Sequence, residues 1–427
     1  MSTQIQDRDL RYDLLRCWAD IFTLQSYRRH QYVNAADAPW NTGAIFASNH
    51  TNTLMDALVL TLANRSEKVF ISRGDIFSKK KIADILHFLK IMPIFRIRDG
   101  LREVARDNGI ISDAADILKG NTNLFLFPEG RHRPMHSLLP IGKGVGRIAF
   151  LASERFGGKK HIRVVPVGIE YEDYFRYRSD LCIEFGKPLD VTDFLAKNSG
   201  ITAERQYALF RSMLSNAIRE LITYIPDDGQ YENIWEYVKI CTTDSQGSPQ
   251  MRKKDRRSVA AEMEKMRRDF PESFSGLMTK VEDFKNLRHK KRISVKSSSR
   301  RNTAARAALK WMSIALTAPY FVFSAIANFP TVIIVPILVK RLKDKAFSNT
   351  VRFGGGFLLS TPLFILWTVL LFVFTPWWVA SIGAIMILFS RSFYYDWLEE
   401  ARIAASDCRW LHDMELRNIY SEILKWK

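Results

Sequence analysis

Gly43-Ala44-Ile45-Phe46-Ala47-Ser48-Asn49-His50-Thr51-Asn52-Thr53-Leu54-Met55-Asp56-Ala57-Leu58-Val59-Leu60 is the stretch whose reading decides the fold. Residues 44–48 are a short run of apolar and small side chains and read as a strand. Asn49 to Thr53 are polar turn formers, and from Met55 to Ala63 the apolar residues return at helical spacing. A strand, a tight turn and a helix in immediate succession open an α/β unit. The turn carries His50 to the carboxyl end of the strand, where α/β proteins tend to hold their ligands.

The same alternation continues outward from Gly43 to about Val191. GAIFAS, KVFIS, IMPIF, NLFLF, IRVVPVGI and LCIEFG read as strands, with helices expected at Met55 to Ala63, Lys79 to Leu89, Leu101 to Leu118 and Val145 to Glu154. The fold class is therefore α/β, a mixed sheet flanked by helices. Pro166 lies inside an apolar strand, which argues for an edge or bulged position. Upstream, Leu10, Leu14, Leu15, Trp18, Ile21 and Phe22 form a helical stripe among arginines, an amphipathic helix that either packs on this domain or lies on lipid.

Apolar residues are unevenly distributed beyond the α/β region. Trp311 to Val339 and Gly356 to Phe389 are nearly free of charge and longer than the roughly 20 residues that cross a bilayer core. The chain is read as an integral membrane protein with a C-terminal α-helical transmembrane region, most of its length staying in water, as its mean hydropathy of −0.13 requires. Basic residues flank both stretches, so all three flanks are expected in the cytoplasm and each stretch is expected to enter and return on one side. Asn328-Phe329-Pro330 and Thr375-Pro376-Trp377-Trp378 supply the bends. Thr331 to Val339 is too short to span alone.

The 63 Lys and Arg against 45 Asp and Glu give a formal charge of +18, which calls for anionic partners. Ahead of a hydrophobic stretch, the run RHKKRISVKSSSRR at 288–301 suits anionic membrane lipid. No nucleic-acid recognition fold accompanies the charge. Cys17, Cys182, Cys241 and Cys408 are far apart, without metal-ligand spacing, and are expected to be reduced. The N-terminus has no apolar segment of the secretory type, and with no eukaryotic targeting signal visible a bacterial cytoplasmic membrane is expected rather than the endoplasmic reticulum.

Four blocks carry the chemistry. His50 followed by Asp56 is a general base with an orienting acid. Pro93-Ile94-Phe95-Arg96-Ile97-Arg98 places two arginines on one side of an extended segment, suited to phosphate. Phe127-Pro128-Glu129-Gly130-Arg131 turns out of a buried-looking strand with an acid and a base beside a glycine. Val164-Val165-Pro166-Val167-Gly168 is the apolar strand noted above. Between the last two, Gly142-Lys143-Gly144 opens a helix in a manner that suits a phosphate, though without P-loop spacing. No Gly-x-Ser-x-Gly elbow and no Cys-His pairing is present.

Together, over roughly residues 30 to 190, the four blocks resemble the glycerolipid acyltransferase superfamily, whose members acylate glycerol-3-phosphate or 1-acylglycerol-3-phosphate. FPEGR is the closest match. The usual pattern has four residues between His and Asp, whereas this chain has five, Thr51 to Met55. The resemblance implies His50 and Asp56 as catalytic, with Arg96 as the chief ligand of the glycerol phosphate and Arg98 and Arg73 as helpers. Glu129 and Arg131 are expected to contact the acceptor or to brace the loop by pairing with each other, and by the resemblance Pro166 lines the acyl path; from their own chemistry, Gly130 lets backbone approach a ligand and Lys143 suits a further phosphate. It implies direct transfer from acyl-CoA or acyl carrier protein to a glycerol phosphate lipid acceptor, with no metal, cofactor or covalent intermediate. Candidate activities are 1-acylglycerol-3-phosphate acylation, glycerol-3-phosphate acylation, or a noncatalytic lipid-binding role.

The expected organisation is an amphipathic N-terminal helix over 1–30, an acyltransferase domain over 31–240, a basic polar linker over 241–305, transmembrane hairpins over 306–392 and a C-terminal cytoplasmic helix over 393–427.

Overall fold

A computed structural model describes residues 4–94, 101–299 and 301–426, with side chains left undescribed over 101–108. The chain forms two compact units. The first comprises residues up to Leu24, His30–Tyr174 and Leu181–Ile222; the second comprises Gln25–Arg29, Phe175–Asp180 and the chain from Thr223 onward.

The elements of the α/β region follow the sequence alternation. They are α1 (Leu10–Gln25), β1 (Tyr27–Val33), β2 (Ile45–Ser48), α2 (Leu54–Thr61), β3 (Lys68–Arg73), α3 (Lys80–Phe88), β4 (Ile91–Ile94), α4 (Leu101–Lys119) and β5 (Asn123–Leu126). After them come α5 (Gly144–Phe156), β6 (Arg163–Tyr171), β7 (Ser179–Phe185), β8 (Leu189–Asp190), α6 (Val191–Lys197) and α7 (Ala203–Arg219). Among the described residues, eight strands make one sheet in the order β1-β7-β6-β2-β5-β3-β4, with β8 also against β6. Strands β6, β2, β5, β3 and β4 run parallel, while β7 and β8 are antiparallel to β6. Of the parallel strands, β6, β2, β5 and β3 lie at the centre, where burial on both faces suits their apolar runs, and β4 forms the edge.

Aromatic residues fill the core at the middle of the sheet. Phe46 of β2 and Phe125 of β5 stack at 4.6 Å, and Trp40 stacks on Phe46 at 4.7 Å. Gly43 enters β2 with φ +69°, and a Cβ there would lie 2.1 Å from the Leu118 carbonyl oxygen, so both backbone and space require glycine.

Of the edge or bulged position expected for Pro166, the edge is corrected, because β6 is paired on both sides. Its carbonyl accepts from Gly186 N at 2.9 Å, just past the end of β7, while β8 pairs only with Arg163 and Val164. The N–H that proline lacks therefore falls in the break between β7 and β8, where no ladder bond is forgone.

In the second unit, α8 (Tyr231–Thr242) ends where the polar linker was expected to begin, and α9 (Pro249–Asp269) and α10 (Pro271–Lys290) occupy much of that expected linker. Their inward faces carry Ala260, Met263, Leu277, Val281 and Phe284, all buried. The charge that suggested a linker is the solvent side of packed helices. Glu236 is buried here; burial raises its carboxyl, but the hydrogen bond from Arg288 and the charge of Lys239 outweigh this and hold it at about 2.

The rest of the second unit is α11 (Ala304–Ala327), α12 (Thr331–Arg341), α13 (Ser348–Gly355), α14 (Thr361–Phe374), α15 (Trp377–His412) and α16 (Met414–Leu424). Among the described residues, Ala304–Ala327, the helical run Lys345–Phe374 and Trp377–His412 are long and apolar enough to cross a membrane. Helix α12 has 11 residues, too few to span. No helix break falls at residue 392, since α15 continues through it. Phe321 of α11 stacks on Trp397 of α15 at 3.9 Å, and Asn328 Nδ2 donates to Ser390 Oγ at 2.8 Å. In the same unit Arg178 grips Asp396 with Nη2 at 2.6 Å and donates from Nη1 to the carbonyls of Gln25 and Tyr27.

Candidate active site

Parallel strands β2 and β5 end side by side, which sets the His50 turn next to the Phe127–Arg131 turn. His50 Nδ1 lies 2.8 Å from Asp56 Oδ2. That oxygen also accepts from Thr51 N at 2.8 Å and Asn52 N at 2.7 Å. An oxygen already receiving two N–H groups requires Nδ1 to be a third donor, so the imidazole hydrogen sits on Nδ1 and Nε2 is left as the acceptor. Asp56 is fully buried, whereas His50 keeps 18% of its side chain exposed.

The five-residue spacing is accommodated at Thr53, which has φ 49°. This is an uncommon conformation for a β-branched residue, and it lets α2 start with Asp56 in its first turn. Asp56 Oδ1 meanwhile accepts from Tyr171 Oη at 2.7 Å, so both carboxylate oxygens are fixed.

Neighbouring blocks hold His50 from other directions. Phe127 stacks on the imidazole at 4.1 Å with the planes 15° apart. Glu129 Oε1 accepts from His50 N at 2.7 Å, and Glu129 Oε2 from Leu139 N at 2.9 Å. Burial pushes the Glu129 carboxyl up to about 7 against the pull of these two hydrogen bonds. Glu129 thus braces the loop through backbone groups, not by the expected pairing with Arg131. Asn49 closes the arrangement by pairing with Ile169 of β6, Nδ2 to the carbonyl at 2.9 Å and Oδ1 from the amide at 2.7 Å.

A cavity of about 550 Å³ opens in front of the histidine. Its lining includes His50, Phe127, Glu129, Gly130, Arg131, His132, Lys143 and Arg147, with Ile71, Ser72 and Arg73 from β3 and Ile94 from β4. Apolar and cationic side chains in one lining suit a molecule that carries both hydrocarbon and anionic groups. Gly130, with φ 62°, turns the chain toward it. Lys143 immediately precedes α5 and its amide end. Arg73 shares its guanidinium with Asp75, Nε to Oδ1 at 3.1 Å. Arg96 and Arg98 lie outside the described residues. Pro166 is not among the lining residues.

Sequence reading missed Tyr171, Phe127 as the stacking partner, and His132, whose ring stands edge-on to His50 at 5.8 Å. Tyr171 belongs to no motif. Its only signal is parity, since it lies two residues beyond Ile169 on the same face of β6.

Chemically, an imidazole with one nitrogen fixed to a buried carboxylate and the other facing a cationic cavity can take a proton from a hydroxyl held there. Residues 27–170 match the protein-family model described as Acyltransferase. No curated protein matches the chain.

Proposed function

Because residues 27–170 are an acyltransferase domain of the glycerolipid acyltransferase superfamily and the protein is accordingly an acyltransferase, we propose that it is membrane-bound and moves a fatty acyl group from acyl-CoA or acyl carrier protein to 1-acylglycerol-3-phosphate. The observation that carries this reading is the His50–Asp56 pair opening onto a cavity with both a cationic and an apolar lining.

In this reading Nε2 of His50 takes the proton of the acceptor hydroxyl as its oxygen attacks the thioester carbonyl. The carbon–oxygen bond forms, the carbon–sulfur bond breaks, and the proton passes to the departing thiolate. Asp56 holds the tautomer and stabilises the imidazolium. Arg131 and Lys143, with Arg96 and Arg98, take the acceptor phosphate. Gly130 and Glu129 shape the loop, and Pro166 contributes through the strand behind the histidine rather than by contact.

An acceptor that already carries one acyl chain is favoured over glycerol-3-phosphate by the apolar Ile71, Ile94, Leu126 and Ile148 of the same lining, and by the apolar helices, which suit an enzyme whose acceptor and product reside in lipid. The basic flanks favour an orientation with the catalytic domain in the cytoplasm, against anionic lipid. Offering labelled acyl-CoA or acyl carrier protein with both acceptors in parallel tests the reading. Label in phosphatidic acid supports it, and label confined to lysophosphatidic acid transfers the assignment to glycerol-3-phosphate.

A further inference from the structure

Helix α3 turns apolar side chains the wrong way for a helix surrounded by water. Ala83, Leu86 and Phe88 on its inner side are only half-buried, and none of its residues is fully buried. The larger aliphatics point outward: Ile82 is 42% exposed and Ile85 58%, with Ile76 of the preceding turn at 41%. Lys79, Lys80 and Lys81 stand exposed at the start of the helix, where the macrodipole disfavours cations, and among the described residues no ion pair engages them. Folding of this unit alone explains neither the isoleucines nor the lysines.

Two contacts extend this surface. Phe88 meets Tyr12 of α1 edge-on at 6.3 Å, and the Arg11 guanidinium lies over the same ring at 5.9 Å. Helix α1 adds Leu10 and Leu14, 70% and 65% exposed. In the other direction α3 adjoins the cavity, because Ile71, Ser72 and Arg73 line it and Arg73 leads directly into the Gly74–Phe77 turn before α3.

We infer that the outer face of α3, flanked by α1, docks on the anionic surface of a bilayer, its isoleucines entering the acyl boundary and its lysines meeting lipid phosphates. Aliphatic side chains beside a cluster of cations are what an interfacial helix presents to such a surface. A docked α3 brings the cavity mouth to the plane where a one-chain acceptor lies. The choice of a bilayer over an acidic carrier protein as occupant rests on the lipid-acceptor reading above. The docking itself can be measured without turnover, so its failure and the failure of that reading are separate results.

The test uses the full chain reconstituted in phosphatidylcholine vesicles with or without phosphatidylglycerol, with exposed Cys17 and half-exposed Cys408 replaced by serine. A fluorophore is placed at Ile85→Cys, at Ile76→Cys, or at Ser199→Cys as a control on the exposed turn after α6, and lipid-tethered nitroxide serves as quencher. Docking predicts several-fold stronger quenching at positions 85 and 76 than at 199, more with phosphatidylglycerol than without, and a loss of the difference when Lys79, Lys80 and Lys81 are changed to glutamate. Equal quenching at the three positions overturns the proposal, as does quenching indifferent to phosphatidylglycerol. A label at 85 that ignores the lipid quencher but responds to added acyl carrier protein overturns it in favour of a carrier-protein dock.

Discussion

His50 Nδ1 and Asp56 Oδ2 meet at 2.8 Å although five residues separate them in sequence. The geometry survives the extra residue because Thr53 adopts φ 49° and because Asp56 also collects the amides of Thr51 and Asn52. The carboxylate therefore organises the turn as well as the imidazole.

Asp56→Asn removes the charge and presents an amide where three donors converge. Turned one way the amide sets its N–H against those three donors; turned the other it keeps them and faces Tyr171 Oη with its NH2, and in both cases the imidazolium lacks a full negative charge beside it. The expected result is a fall in kcat of about 10²- to 10⁴-fold with KM little changed, the range that a general base supplies. Steady-state kinetics on folded protein checks it.

Tyr171→Phe is the sharper test of the carboxylate's environment. It deletes one hydroxyl and leaves Asp56 Oδ1 without the donor now at 2.7 Å. Loss of a hydrogen bond to a buried charged group costs roughly 1.5–3 kcal/mol. The expected outcome is a kcat lowered about tenfold or more and an altered pH–rate profile, both read from initial rates across pH. An unchanged profile would reduce Tyr171 to a packing residue.

Glu129 supplies a pH dependence of stability. Its folded-state carboxyl is raised to about 7 by burial, above the unfolded value, so the native state holds the proton more tightly. The contribution is fully present below the ordinary carboxyl value and is lost as pH rises through about 7. A shift of this size corresponds to about 3 kcal/mol. Glu129→Gln lacks this slope, so the gap in melting temperature between the natural protein and the variant should favour the natural protein more at pH 5 than at pH 8. Parallel melts in one detergent measure it.

Membrane orientation has a direct check at Lys343, exposed between α12 and α13. With Cys17 and Cys408 changed to serine and Lys343→Cys as the reactive thiol, an impermeant maleimide should label inside-out vesicles and spare right-side-out ones. The reverse pattern would contradict cytoplasmic flanks.

How much was legible in sequence depended on whether a residue's signal was local. The parallel strands β2, β5 and β6 could be read because burial on both faces makes them apolar runs, and His50, Glu129 and Gly130 could be read because turns at strand ends announce themselves. Strand β1 could not: Tyr-Arg-Arg-His-Gln-Tyr-Val has exposed charges in its middle and forms through pairing, which no local pattern reports. Helices α9 and α10 read as a linker in sequence because their charge outweighs a narrow apolar stripe. Tyr171 was missed because its role is set by a contact with a residue 115 positions away.

Acyl transfer by purified natural protein and His50→Ala, from labelled acyl-CoA or acyl carrier protein to 1-acylglycerol-3-phosphate, tests the central claim most directly. The account predicts label in phosphatidic acid for the natural protein and a loss of at least about 10²-fold in the variant, with both melting alike. Transfer by His50→Ala at the natural rate would contradict it.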